Sequence, residues 1–208
     1  MNSEYSVKTI LCYGDSNTWG RIPNKDRESK NARWPNILQG LLGADFDVIS
    51  EGMPGRTLIA TDKEKPYLNG LATLPIFTKS HYPIDCVIIM LGTNDTKKKY
   101  GLNAKQIANG LRYFISHLRK EGISKIIVIC PPKIIRPKNG LYPEFVNGPE
   151  ISTELPILYE AISIKEGCSY LNSGSIIETS PVDGIHISRE SHSKLALAIK
   201  EKVVSLFS

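Results

Sequence analysis

Thr9-Ile10-Leu11-Cys12-Tyr13-Gly14-Asp15-Ser16 is a short apolar run that stops abruptly at Gly-Asp-Ser. With no polar face along it, the run reads as a strand buried on both sides that enters a tight turn. The pattern recurs down the chain. Cys86 to Leu91 is continuously apolar before Gly92-Thr93-Asn94-Asp95, and Ile126 to Cys130 is stopped by Pro131-Pro132. Phe46 to Ser50 alternates and runs into Glu51-Gly52-Met53-Pro54-Gly55, and a last short strand is expected around Ser169-Tyr170-Leu171.

Helical spacing fills the intervals. Trp34, Ile37, Leu38, Leu41 and Leu42 share one face and end at Gly43; Ile107, Leu111, Phe114, Ile115 and Leu118 do the same between Ala104 and Leu118. Further helices are expected near Glu154 to Lys165 and from Leu195 to Phe207, the latter with Ser188 as N-cap. Strands alternating with helices predict a three-layer α/β/α architecture, a doubly wound parallel sheet of the flavodoxin-like kind, in one domain over residues 1–208. Ligands in such sheets bind beyond the carboxyl ends of the strands, where every polar cluster named above falls. The segment from Pro131 to Pro149, long for a connection and rich in proline, glycine and lysine, is expected to border that site as a lid or as an oligomer contact.

Composition excludes several classes. The chain has 208 residues, 41% hydrophobic and 23% charged, near the globular average, with no apolar stretch for a membrane span. Its formal charge of +5 is scattered, with Lys97-Lys98-Lys99 as the densest run, so nucleic acid is not an expected partner. Residues 1–7 are polar and lead into strand one without a cleavage site, so a cytoplasmic location is expected. Cys12, Cys86, Cys130 and Cys168 lie in or beside apolar runs without metal or redox spacing, which fits free thiols in a reducing compartment. Neither a metal nor another cofactor is expected.

A serine hydroxyl needs a base to become a nucleophile at neutral pH, and the base needs a third group to hold its tautomer. Ser16, His186 and Asp183 can fill those roles, because a carboxylate three residues before a histidine can reach its Nδ1 across one turn. Ser16 stands where a strand gives way to a short helix, so its own N–H is a candidate oxyanion donor.

Taken in order, Gly14-Asp15-Ser16-Asn17, Glu51 to Thr57, Gly92-Thr93-Asn94-Asp95 and Asp183-Gly184-Ile185-His186 resemble the four motif blocks of SGNH (GDSL-type) hydrolases. Thr18-Trp19-Gly20, Arg33-Trp34 and Met90 to Lys97 are most similar to the bacterial arylesterase/acyltransferase branch. The resemblance implies Gly52 N–H and the Asn94 side-chain amide as the remaining oxyanion donors. It also implies a short-chain acyl or aryl ester as the small-molecule substrate, with acyltransfer to alcohols as an added outcome. Asn17 stands where the name-giving pattern has leucine, a departure expected to reshape the acyl pocket, so Asn17 and Trp19 are assigned to substrate binding.

The other polar residues have plainer readings. Asp15 and Asp95 follow strands beside turns and are expected to accept backbone N–H bonds. His81, His117 and His192 lack the preceding aspartate; Trp34 begins an apolar face and is expected in the core. Arg56, in a polar loop, is expected to pair with a carboxylate or stay solvated, outside the site. The rival functions are a carbohydrate O-acetyl esterase and a non-catalytic flavodoxin-like binding module, with homo-oligomers formed through the 131–149 segment compatible with any of them.

Overall fold

Successive residues of a strand buried on both faces must feed two different cores. The strand Lys8–Gly14 (β1) does so: Leu11 and Tyr13 join one apolar cluster, Ile10 and Cys12 the other. In the computed structural model, which describes residues 7–23 and 25–208, β1 lies inside a parallel five-stranded sheet. The other strands are Phe46–Gly52 (β2), Cys86–Met90 (β3), Lys125–Cys130 (β4) and Ser169–Asn172 (β5), in the order β2-β1-β3-β4-β5. The expected fold class is what the structure shows. The residues read above as lacking an export signal lie, for 1–6, outside the described residues.

After β1 comes a single turn, Ser16–Trp19 (α1), and then Trp34–Leu42 (α2). Three helices cover the Leu11/Tyr13 face: Gly70–Ser80 (α3), Ala104–Lys120 (α4) and Gly148–Lys165 (α5). On the opposite face α2, with Trp34 and Leu38 fully buried, packs beside Arg189–Phe207 (α6), which contributes Leu195, Ile199 and Val203. Ser188 caps α6 by accepting the Ser191 N–H, as expected from the sequence. No helix among the described residues is long and apolar enough to cross a membrane.

Two departures have local causes. The helix α3 has no counterpart in the sequence reading, because Pro75 sits inside it and its apolar residues mark no clean stripe; Asn69 starts it by capping Ala72 N. The helix α5 begins at Gly148, six residues earlier than expected, since Pro149 in its first turn starts a helix as readily as it stops one.

The chain reverses direction across the sheet between β1 and β3, and there the carboxyl ends of β1, β2 and β3 come together. Gly14 and Gly52 are register partners at the ends of their strands. A Cβ on Gly52 would lie 2.2 Å from the Trp19 nitrogen, so only glycine lets α1 pack this closely on β2.

Candidate active site

Ser16 is the first residue of α1, and Asp15 caps that turn by accepting the Asn17 N–H at 2.9 Å. The Ser16 hydroxyl faces a histidine 170 residues away: His186 Nε2 is 3.0 Å from Ser16 Oγ. On the other side of the ring, His186 Nδ1 is 2.7 Å from Asp183 Oδ2. Asp183 Oδ1 accepts the N–H groups of Ile185 and His186, both at 2.9 Å. Burial raises the cost of charging Asp183, but the hydrogen bonds from His186 and these two amides outweigh it and hold the carboxyl below its ordinary range.

The loop carrying this pair is tied to the start of the 131–149 segment. Ile135 N donates to Gly184 O at 2.9 Å, Lys138 N to Asp183 O at 3.0 Å, and Asn139 Nδ2 to Val182 O at 2.8 Å. Gly184 has φ 78°, and a Cβ there would lie 1.7 Å from the Ile135 carbonyl oxygen. The glycine between Asp183 and His186 is therefore required both by the turn and by the loop packed against it.

A cleft of about 110 Å³ opens beside the serine, and Ser16, Asn94 and His186 share its wall. Asn94 Nδ2 donates to Arg56 O at 3.1 Å, which fixes the amide and leaves its second N–H uncommitted to that bond. Gly52, at the end of β2 in register with Gly14, stands one strand away from the serine turn. The rest of the wall includes Arg21, Lys97, Leu141, Phe145 and Ile185. The 131–149 segment thus borders the cleft through Leu141 and Phe145.

Several placements differ from the sequence reading. Asn17, assigned to substrate, is 2% exposed and off the cleft wall; its Oδ1 accepts the Ile187 N–H at 3.1 Å and so links α1 to the histidine loop. Trp19 also stands off the wall. Its ring lies 5.4 Å from the Arg21 guanidinium and 4.6 Å from that of Arg27, so it backs the arginine that reaches the cleft. Arg56 is neither solvated nor ion-paired. It is fully buried, with its guanidinium 4.0 Å from the Tyr13 ring centroid, and Nη1 donates to Gly14 O at 3.0 Å and to Glu51 O. One side chain thereby binds the backbone just ahead of the Ser16 turn and of Gly52. The motif block containing Arg56 was visible in the sequence, but burial of a loop arginine has no sequence signature.

The remaining polar residues hold the scaffold. Asp95 accepts the N–H groups of Leu58, Ile59 and Ala60 at 2.6, 2.9 and 3.0 Å. Burial raises its pKa to about 6 against those bonds, and burial likewise raises Asp15 to about 6. His192 is fully buried and accepts the Trp34 N–H at 3.3 Å; desolvation, with Arg33 nearby, lowers it to about 4. His81 pairs with Glu51 at 2.8 Å. Among the described residues no three His, Cys, Asp or Glu side chains are grouped to hold a metal ion.

Known proteins resemble this chain along nearly its whole length. The aryl esterase of M. smegmatis, in its inhibitor-bound structure, is 35% identical and covers 96% of this chain and 99% of its own, with a TM-score of 0.92. A carbohydrate acetylesterase from Sinorhizobium meliloti is 36% identical over the same shares, also with a TM-score of 0.92. An acetylxylan esterase of Xylanibacter ruminicola is 27% identical over 90% of this chain. The chain spans less than half the length of the curated relatives it matches, 49% of one and 41% of the other. The GDSL-like lipase/acylhydrolase family model matches residues 12–193, from β1 through the Asp183–His186 loop into α6, and the chain belongs to that family of SGNH hydrolases.

Proposed function

We propose that the protein is a serine esterase for short acyl esters, with Ser16 as nucleophile, His186 as general base and Asp183 as the group that orients His186. One observation carries the reading: the unbroken line from Ser16 Oγ to His186 Nε2 at 3.0 Å and from His186 Nδ1 to Asp183 Oδ2 at 2.7 Å. With Nδ1–H donating to Asp183, Nε2 keeps its lone pair and takes the Ser16 proton as Oγ attacks the ester carbonyl carbon. The N–H groups of Ser16 and Gly52 and the Asn94 amide receive the developing oxyanion. Collapse breaks the C–O bond to the alcohol, which leaves with the proton from Nε2; water then repeats the sequence and releases the acid. The ionised Asp183 stabilises the imidazolium formed in each half.

The cleft sets the acyl length. At 110 Å³ it is small beside the ~300 Å³ or more of an ordinary ligand pocket, which favours an acetyl group over a long acyl chain. Leu141, Phe145 and Ile185 make one side of it apolar, a setting in which an alcohol competes with water for the acyl-enzyme and acyltransfer accompanies hydrolysis. Aryl acetates and O-acetylated carbohydrates are both substrates of this chemistry, and no nucleic acid or membrane partner enters it. We place the protein in the cytoplasm, on the strength of the unpaired thiols of Cys12, Cys86 and Cys130, and leave homo-oligomers as a compatible state.

Hydrolysis of p-nitrophenyl acetate, butyrate and octanoate by the wild type and by Ser16→Ala tests the reading. Acetate preferred, and all three rates lost in the variant, is the expected result. Equal rates in the two proteins would show a binding module whose serine has no chemical role.

A further inference from the structure

A cleft of about 110 Å³ is too small to enclose the alcohol part of a large ester along with the acyl group. The alcohol must lie outside, and the walls of the cleft point to where. Pro54, Gly55 and Lys97 belong both to the cleft and to a broader groove of about 830 Å³ beside it. An ester seated with its carbonyl at Ser16 continues into this groove across the shared residues. We propose that the groove binds the alcohol part of the substrate and that this alcohol is an anionic saccharide, an O-acetylated sugar bearing a carboxylate or a phosphate. The proposal rests on the esterase reading above.

Charge carries the argument first. Four lysines line the groove, Lys65, Lys97, Lys98 and Lys99, against two acids, Asp62 and Glu144. Lys97 is paired with Glu144 at 2.8 Å and Lys99 with Asp62. Lys65 and Lys98 have no ion-pair partner among the described residues, so the groove keeps two free cations, and Arg21 adds a third positive group on the cleft wall. The backbone at Lys98 is fixed, because its N–H donates to Glu144 O at 2.7 Å. A phosphate or carboxylate in the groove would meet two exposed ammonium groups that no acid among the described residues pairs.

The rest of the wall suits a sugar. Tyr67 is 52% exposed at the groove and Tyr100 lines it with the Lys99 ammonium 5.0 Å from its ring centroid. A pyranose presents an apolar face to a tyrosine ring and hydroxyls to the ammonium and carboxylate groups around it. A purely aromatic alcohol would instead cover Lys65 and Lys98 with apolar surface and return nothing for their lost hydration. In the reaction the acetyl C–O bond to the sugar breaks, the sugar oxygen takes the proton from His186, and water supplies the hydroxyl that ends on acetate.

The test compares kcat/KM for acetyl esters of a neutral hexose, the matching hexuronate and the matching hexose phosphate, with p-nitrophenyl acetate alongside. Each is measured in the wild type, Lys65→Gln, Lys98→Gln and the double variant. The expected result is a preference for an anionic ester of roughly tenfold over the neutral one, carried by KM, as one or two charge-assisted contacts provide. It should shrink at raised ionic strength and vanish in the double variant. The neutral sugar ester is each variant's own reference, so a folding defect lowers both rates and leaves the ratio intact. Whichever anion is preferred identifies the source of the charge. Equal rates on neutral and anionic sugars, with p-nitrophenyl acetate still hydrolysed, overturn the inference and leave the esterase reading standing. Failure on all four esters removes the esterase reading and the inference together.

Discussion

The two halves of the site are built differently. Ser16, Gly52 and Asn94 project from the ends of three adjacent strands, and the side chains that fix them are core residues: Arg56 and Asp95 are fully buried and Asp15 is 1% exposed. Asp183 and His186 come instead from a loop held chiefly by another loop, through bonds from Ile135, Lys138 and Asn139. The Ser16 side is therefore anchored in the sheet, and the His186 side in a loop, the kind of element that opens locally at lower cost. A disturbance of the first should cost stability along with activity. A disturbance of the second should cost activity first.

Asp183→Asn breaks the base side most directly. The amide can still accept the Ile185 and His186 N–H groups but no longer stabilises an imidazolium, so kcat should fall about 10⁴-fold with little change in Tm. Steady-state kinetics beside a thermal melt checks both halves of that statement. On the nucleophile side, Asn94→Ala should lower kcat by roughly 10²- to 10³-fold. It should also lower Tm, because it leaves the buried Arg56 carbonyl without its donor. If Tm did not move, the contrast between the halves would fail on its more rigid side.

Asp15 sharpens the comparison through pH. Its folded-state pKa, about 6, lies above the ordinary value of 3.8, so its contribution is fully present below pH 4 and is lost as pH rises through 6. Over that window the loss is on the order of 3 kcal/mol. Asp15→Asn keeps the cap and removes the titration. Denaturant unfolding at pH 4 and pH 7 should show the variant gaining on the wild type by that order as pH rises; parallel stabilities at both pH values would contradict it. The smallest expected effect is that of Asn139→Gly, which tolerates the φ of 54° at that position while deleting the bond to Val182 O. A two- to threefold fall in kcat with an almost unchanged Tm is expected, the size of about half a kcal/mol at an exposed hydrogen bond.

Much of this was legible in the chain. The apolar runs ending at Gly14, Gly92 and Pro131 marked strands because nothing along them tolerates water, and α2 and α4 showed clean helical stripes. The Asp183–His186 spacing was readable because it is local. What escaped is what tertiary packing decides. Leu141 and Phe145 reach the cleft only through the path of a long loop, Pro75 hid the helix α3, and Arg56, expected to pair with a carboxylate or stay solvated, is buried on two backbone carbonyls instead. Asn17 was misplaced for the same reason: four residues of α1 point in different directions, and the amide after the serine turns inward to Ile187 N rather than toward the cleft.

Covalent labelling with a fluorophosphonate, read by intact mass and peptide mapping, asks most directly whether Ser16 is a nucleophile activated by His186. The wild type should take up one phosphonyl group, on Ser16, with no uptake in Ser16→Ala and uptake slowed by roughly 10³-fold or more in His186→Ala. An adduct on any other residue, or undiminished labelling of Ser16→Ala, would contradict catalysis through this serine.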